Sequence, residues 1–258
     1  MNKEQNKILA IDVGNTNIHW CYMQDAKIQG EYKRNRHTEL SLLPWDNIAK
    51  QKNPVVIAGT LLHMNDAVKT IASDYKVKLI EITINNQNII KNTYPSLGID
   101  RVCSLAAALK SFPNLKAPVI VIDFGTATTI SICDQNGSFL GGMIKTGFEI
   151  ELKAMSSKTL SLPHVELAKE QKITKLNPLS ISTEDAMLHG VIIGQVGLIE
   201  YYLSIFKNEV HPEPKVVFTG GNALIITRFT GKKYDLFDPH LTIKGIYHCY
   251  QSSLVHHA

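Results

Sequence analysis

The stretch Val119-Ile-Val-Ile-Asp123-Phe-Gly-Thr-Ala-Thr128 carries an apolar strand into a carboxylate, a glycine and a run of small hydroxylated residues. Near the N-terminus Ile8-Leu-Ala-Ile-Asp12-Val-Gly-Asn-Thr-Asn17 repeats the order: apolar strand, Asp, one apolar residue, Gly, then Asn or Thr. Glycine admits a bulky anion to the backbone, and Thr or Asn supplies short hydrogen-bond donors to phosphate oxygens. A carboxylate at a strand end suits Mg²⁺, its waters or a monovalent ion beside a polyphosphate. One such turn is an ordinary strand end. Two of them about half a chain apart read as an internal duplication, with too few copies for a solenoid, and so as two similar domains.

A length of 258 residues and an apolar fraction of 44% suffice for a substantial core and leave one large or two modest domains open; the duplication selects two. The boundary falls at Ser111-Phe-Pro-Asn-Leu-Lys-Ala-Pro118, where two prolines bracket a short linker, giving domains 1–115 and 116–258. A net charge of +4 and a pI near 8.7 demand no nucleic-acid partner, and the cluster Lys33-Arg-Asn-Arg-His37 reads as a solvated loop or hairpin edge. Cys21, Cys103, Cys133 and Cys249 are scattered without a Cys-x-x-Cys pair, so neither a zinc site nor a disulfide framework is expected, and a reducing cytosol fits. The ten histidines show no metal-ligand spacing, and His256-His257 reads as a loose tail. The polar start Met1 to Lys7 precedes an apolar run broken by Asp12, which excludes a signal-peptide core, and no uninterrupted apolar run approaches the ~20 residues a bilayer needs. A cytoplasmic chain without a membrane partner is expected.

Along the first half, strands are expected at His19 to Tyr22 and Lys27 to Tyr32 around a polar turn at Gln24-Asp-Ala26, then at Val55 to Ala58 and Lys78 to Ile84, with a helix over Asn65 to Tyr75. Asn85 to Gly98, punctuated by Pro95, reads as a surface loop. Gly98-Ile-Asp100-Arg101 then opens an apolar helix through Leu109. A carboxylate in that first turn is favoured by the helix dipole by roughly 0.3–1 kcal/mol and by itself reads as a simple cap. In the second half Asn136-Gly137 signals a hairpin with both central positions at positive φ, and the return strand Ser138 to Leu140 should end at Gly141-Gly142. Phe148 to Ser157 reads as a helix, and the basic stretch Lys169 to Lys175 as exposed. Ser182-Thr-Glu-Asp185 matches a capping box and starts a helix through Phe206 that carries Gly190, Gly194 and Gly197 at helical spacing. A short strand at Lys215 to Phe218 delivers Thr219-Gly-Gly221, and a last helix runs through Leu254.

Taken together and in this order, Asp12-Val-Gly-Asn-Thr-Asn17, Gly98-Ile-Asp-Arg101, Asp123-Phe-Gly-Thr-Ala-Thr128, Gly141-Gly142 and Thr219-Gly-Gly221 resemble the acetate kinase, sugar kinase, Hsp70 and actin superfamily, and within it the type III pantothenate kinases. The resemblance covers nearly the whole chain. It implies an α/β fold of two duplicated actin-like (ribonuclease H-like) domains, with mixed β-sheets flanked by helices. It also implies transfer of the ATP γ-phosphate to the primary hydroxyl of pantothenate, giving 4′-phosphopantothenate at the entry to coenzyme A, by a homodimer. On the matching positions, ATP would lie along Asp12, Val13, Gly14, Asn15, Thr16, Asn17, Ile18 and His19, with Thr126 in the second turn. Tyr94, Gly98, Ile99, Asp100, Arg101 and Thr183 match substrate-contacting positions, and Asp100 the proton acceptor. Asp123 matches the site of a monovalent cation, K⁺ or NH₄⁺, and Asp12 would anchor Mg²⁺ through water.

The chain departs from the family pattern at Ser131, where Asp is common, at Thr146-Gly147, where Pro-Gly is common, and near Gly59-Thr60, where a serine-valine pair is common. The alternative is a non-catalytic nucleotide-binding regulator resembling the Bordetella accessory factor proteins, which belong to the same family. A regulator has no need of Tyr94, Asp100, Arg101 and Thr183 together. A kinase of the superfamily with another acceptor is a third possibility, since fold does not fix substrate.

Overall fold

The computed structural model describes residues 7–167, 173–209, 211–231 and 233–254; residues 169–172 of the expected basic stretch 169–175 and the tail histidines fall outside them. The first sheet is built from β1 (Ile8–Val13), β2 (Asn17–Gln24), β3 (Lys27–Arg36), β4 (Val55–Gly59) and β5 (Leu79–Glu81), in the order β3-β2-β1-β4-β5. The second is built from β6 (Val119–Phe124), β7 (Ala127–Cys133), β8 (Phe139–Thr146), β9 (Lys215–Thr219) and β10 (Leu236–Phe237), in the order β8-β7-β6-β9-β10. The two orders are the same once β1 is matched to β6, so the duplication seen in the two turns extends to whole sheets. The fold is α/β, with two duplicated actin-like halves.

By contacts, the chain divides into two compact units. Of the described residues, the first takes those up to Leu115, then Cys133–Phe139, and those from His240 on; the second takes those of Lys116–Ile132 and Leu140–Pro239. A single cut between 115 and 116 therefore differs from this division in two places, the β7–β8 hairpin tip and the C-terminal helix.

In the first unit β1 is central, antiparallel to β2 and parallel to β4, and Ile8, Leu9, Ala10 and Ile11 are fully buried. This is why it reads as an unbroken apolar run rather than an alternating one. The β2–β3 turn places Asp25 (φ 49°) and Ala26 (φ 60°) both at positive φ, the geometry of a type I′ hairpin. At the expected Asn136-Gly137 hairpin only Gly137 is at positive φ (83°), because the Asp134 Oδ1 atom accepts from the amides of Asn136 and Ser138 and holds a wider turn. Strand β5 is shorter than expected because Asn86 turns the chain: its side chain accepts from the Thr83 amide and donates to the Glu81 carbonyl.

Helices α1 (Trp45–Gln51), α2 (Leu62–Asp74) and α3 (Ile99–Ser111) complete the first half of the chain. Helix α3 is apolar around most of its circumference and is buried from Ile99 to Ala108 except at Asp100. It packs on the last helix of the chain, Leu241–Leu254, where Gly245 lies directly on the Cys103 carbonyl and Ser104 Oγ meets Thr242 Oγ1 at 2.9 Å.

In the second unit the helices are α4 (Phe148–Lys158), α5 (Thr183–Glu209) and α6 (Ala223–Thr227), which leaves Leu241–Leu254 as α7. Ser182 caps α5 as expected, its Oγ accepting from the Asp185 amide at 3.1 Å. The helix buries Met187, Leu188, Val191, Ile192 and Ile199 in the unit's core. By length and composition alone α5 is apolar enough to span a bilayer, and about 33% of its most apolar stretch is buried inside the structure. Gly190, Gly194 and Gly197 lie on the opposite, exposed side with nothing within 4 Å of an added β-carbon, so they are not core glycines. Strand β8 does not stop at Gly141-Gly142 but continues to Thr146, with Gly141 at φ +142°.

Candidate active site

The first turn is closed by a hydrogen bond from the Gly14 amide to the Asn17 carbonyl at 3.0 Å, which leaves Asn15 and Thr16 at its exposed tip. Asp12 and His19 are paired across the β1–β2 ladder, and His19 Nδ1 lies 3.6 Å from Asp12 Oδ2. His19 stacks on Tyr32, whose ring packs on His240. Val13 and Ile18 are buried and anchor the turn from below.

The acceptor motif folds as one cluster in the same unit. Gly98 is the N-cap of α3 and no side chain caps the helix there; the Asp100 Oδ1 atom instead accepts from the Arg101 amide at 2.8 Å. The simple-cap reading of Asp100 is thereby corrected: its carboxylate lies over the Gly98 α-carbon, where a β-carbon would collide with it. Burial pushes the Asp100 carboxyl above the ordinary carboxylate range, and the Asp12 charge pushes it the same way. Arg101 is buried, donates from Nη1 to the Tyr94 hydroxyl at 3.0 Å, and lies over the Phe139 ring. Tyr94 packs edge-on against the same ring and remains 42% exposed, so Phe139 fixes both side chains from beneath.

The second turn has its own surroundings. Parallel pairing of β6 with β9 sets Asp123 beside Thr219, and Gly220, at φ +95°, passes directly over the Asp123 carboxylate and the Phe124 backbone. Thr126 is exposed at the tip, and its carbonyl accepts from the Gly147 amide at 3.1 Å. Thr146, at the departure from Pro, donates from its hydroxyl to Glu151 Oε1, which also accepts from Lys145 and Gln195. Burial lowers the Lys145 pKa from its ordinary value. Ser131 is buried on β7. Thr183 is exposed at the first residue of α5, away from the buried face of that helix. Among the described residues no group of three or more His, Cys, Asp or Glu side chains forms a metal cage.

A sequence model of type III pantothenate kinase matches residues 8–204. The chain belongs to that family. It is 31% identical over 255 residues to a type III pantothenate kinase of Agathobacter rectalis, covering 93% of this chain and 95% of the relative. Its fold is similar to that of a putative Baf family transcriptional activator from Campylobacter jejuni, with a TM-score of 0.61 at 20% identity, covering 96% of this chain and 99% of that one. It is also similar in fold to an activator of 2-hydroxyisocaproyl-CoA dehydratase from Clostridium difficile with bound ADPNP, with a TM-score of 0.50 at 13% identity and 97% coverage of each chain.

Beyond the residues of the family pattern, the structure of this pantothenate kinase family member adds His37, whose Nε2 lies 2.9 Å from the Gly14 carbonyl. It also adds Phe139, the platform under Tyr94 and Arg101. His37 sits 23 residues from Gly14, and the only sequence signal was its place in the basic cluster. Phe139 carried none beyond its alternation in β8.

Proposed function

We propose that the protein phosphorylates the primary hydroxyl of pantothenate with the γ-phosphate of ATP, giving 4′-phosphopantothenate. The observation that carries this reading is the placement of Asp100: a carboxylate of raised pKa, fixed by the Arg101 amide and flanked by the Arg101–Tyr94 pair. Phosphoryl transfer needs mainly positioning and charge neutralisation, because its transition state is loose. Asp100 orients the hydroxyl and takes its proton, a contribution worth about 10²–10⁴-fold. Arg101 and Tyr94 hold the acceptor, with Gly98 and Ile99 shaping the floor. The tip of the first turn, Asn15 to Asn17, presents amides and short side chains to the polyphosphate, and Thr126 does so in the second turn.

The donor set fits a divalent ion that brings most of its own ligands. Asp12 offers one carboxylate and no cage surrounds it among the described residues, so Mg²⁺ would be held by phosphate oxygens and waters, with Asp12 on a water. Bound in this way the ion neutralises phosphate charge. Asp123, a single carboxylate under the bare backbone of Gly220, suits a weakly held K⁺ or NH₄⁺.

A homodimer is part of the proposal. Gly190, Gly194 and Gly197 form an open helix face with the exposed Ile193 and Tyr201, which permits close self-association about a two-fold axis. The four buried free cysteines accord with a reducing, cytoplasmic setting. A regulator that only bound nucleotide would not require Arg101 to be buried against Tyr94 beside a raised carboxyl. The test is a coupled assay of the purified protein with ATP, Mg²⁺ and a panel of hydroxyl acceptors. Turnover confined to pantothenate supports the assignment; turnover with a different acceptor, or with none, rejects it.

A further inference from the structure

The basic cluster at the end of β3 reads in sequence as a solvated edge, yet the strand register gives it a direction. His19 pairs with Asp12 on one side and with Arg34 on the other, and Asn17 pairs with Arg36. Directly paired residues project from the same face of a sheet. Asp12, His19 and Arg34 therefore form one row across three strands, with Asn17 and Arg36 in the row nearer the turn. The 3.6 Å approach of His19 to Asp12 and the stacking of Tyr32 on His19 mark the same face from both neighbours. Lys33 belongs to the other face, where its ammonium lies over the Trp20 ring.

The end of β3 is also held firmly. The Arg36 amide donates to Glu39 Oε2 at 2.9 Å, Asn35 Oδ1 accepts from Trp20 Nε1 at 2.9 Å, and His37 reaches the Gly14 carbonyl. Among the described residues the Arg34 and Arg36 guanidinium groups are exposed and form no ion pair, whereas the neighbouring Lys33 pairs with Glu31. Two exposed guanidinium groups on a firmly held strand end, on the face of a phosphate-type turn, suit the fork geometry by which arginine binds phosphate oxygens.

We infer that Arg34 and Arg36 are a side-chain arm of the first turn that binds the polyphosphate of the nucleotide, in addition to the backbone amides of residues 14–17. The inference rests on the kinase reading only for the identity of the nucleotide; the anion arm is testable without turnover.

The experiment compares R34Q, R36Q and the double variant with K33Q, which removes the same charge from the same strand on the opposite face. Binding of inorganic tripolyphosphate is measured by calorimetry at low salt, and the KM for ATP and for pantothenate by the coupled assay; thermal melting establishes that each variant is folded. The expected result is a roughly tenfold loss of tripolyphosphate affinity and a similar rise in the KM for ATP for each arginine, with the KM for pantothenate unchanged and K33Q like wild type. Partial recovery in R36K, which keeps the charge without the fork, supports the assignment further. Arginine variants that match K33Q in tripolyphosphate binding overturn it, as does a rise confined to the KM for pantothenate. A wild-type protein that binds tripolyphosphate through these arginines but phosphorylates nothing would sink the kinase reading and leave the anion arm standing.

Discussion

The Asp100 carboxylate occupies the space in which a β-carbon on Gly98 would stand. Gly98 has φ −59° and ψ 132°, values any residue adopts, so its lack of a side chain serves the carboxylate rather than the backbone. Replacing Gly98 with Ala should leave the fold intact and push the flexible Asp100 side chain aside. A misplacement of about 1 Å costs on the order of 10²-fold in rate, and G98A should lose about that much in kcat while melting within a few degrees of wild type. A wild-type kcat in a folded G98A would show that the observed placement of Asp100 is not the working one.

The raised Asp100 pKa has a stability signature with a definite sign. Burial and then the Asp12 charge disfavour the ionised form, so the folded value lies above the ordinary 3.8. Between those two values the native state binds the proton more tightly than the unfolded chain, and wild-type stability falls as pH rises through the window. Asp100→Asn carries no titrating group. It should be the more stable protein at neutral pH, with its advantage shrinking as pH falls towards the ordinary carboxylate value. Melting temperatures that stay parallel from pH 4 to 8 would contradict this.

Much of this site was legible because its chemistry is local. The two Asp-x-Gly turns, the apolar strands leading to them and the opening of α3 are each written within about ten consecutive residues, and they fold as read. Features set by distant residues were not legible. A local exception is Asn136-Gly137, which does not close as a type I′ turn because the adjacent Asp134 captures two of its amides. Strand β8 runs through Gly141-Gly142 as part of a sheet, so the glycines did not end it. The contact of His37 with Gly14 and the common face of Arg34 and Asp12 depend on strand register, which no local pattern encodes.

Asp123 is expected to make the reaction responsive to a monovalent cation. The carboxylate sits under the Gly220 backbone, and among the described residues no group of three or more His, Cys, Asp or Glu side chains forms a divalent cage. Rates in potassium or ammonium buffers should exceed those in sodium alone, and Asp123→Asn should abolish the difference. Equal wild-type rates in all three would remove the cation from the account.

The exposed glycine face of α5 is expected to be a dimer contact. A bulky residue at Gly194, where an added β-carbon meets nothing within 4 Å, should leave the fold unaffected and weaken self-association. If Thr183, at the start of the same helix, completes a partner's acceptor site, the KM for pantothenate should rise with dissociation. Sedimentation of wild type and G194W across a concentration series reads the first effect, and the coupled assay the second. A wild-type monomer with full activity would exclude the shared site.

The central claim is tested most directly by mass spectrometry of the product formed from ATP, Mg²⁺ and pantothenate by wild type and by Asp100→Asn. The account predicts 4′-phosphopantothenate with equimolar ADP from wild type, and a rate lower by about 10²-fold or more from the folded variant, which still binds ATP. Wild-type protein that binds ATP but yields no phosphopantothenate, or an Asp100→Asn variant that turns over at the wild-type rate, would contradict it.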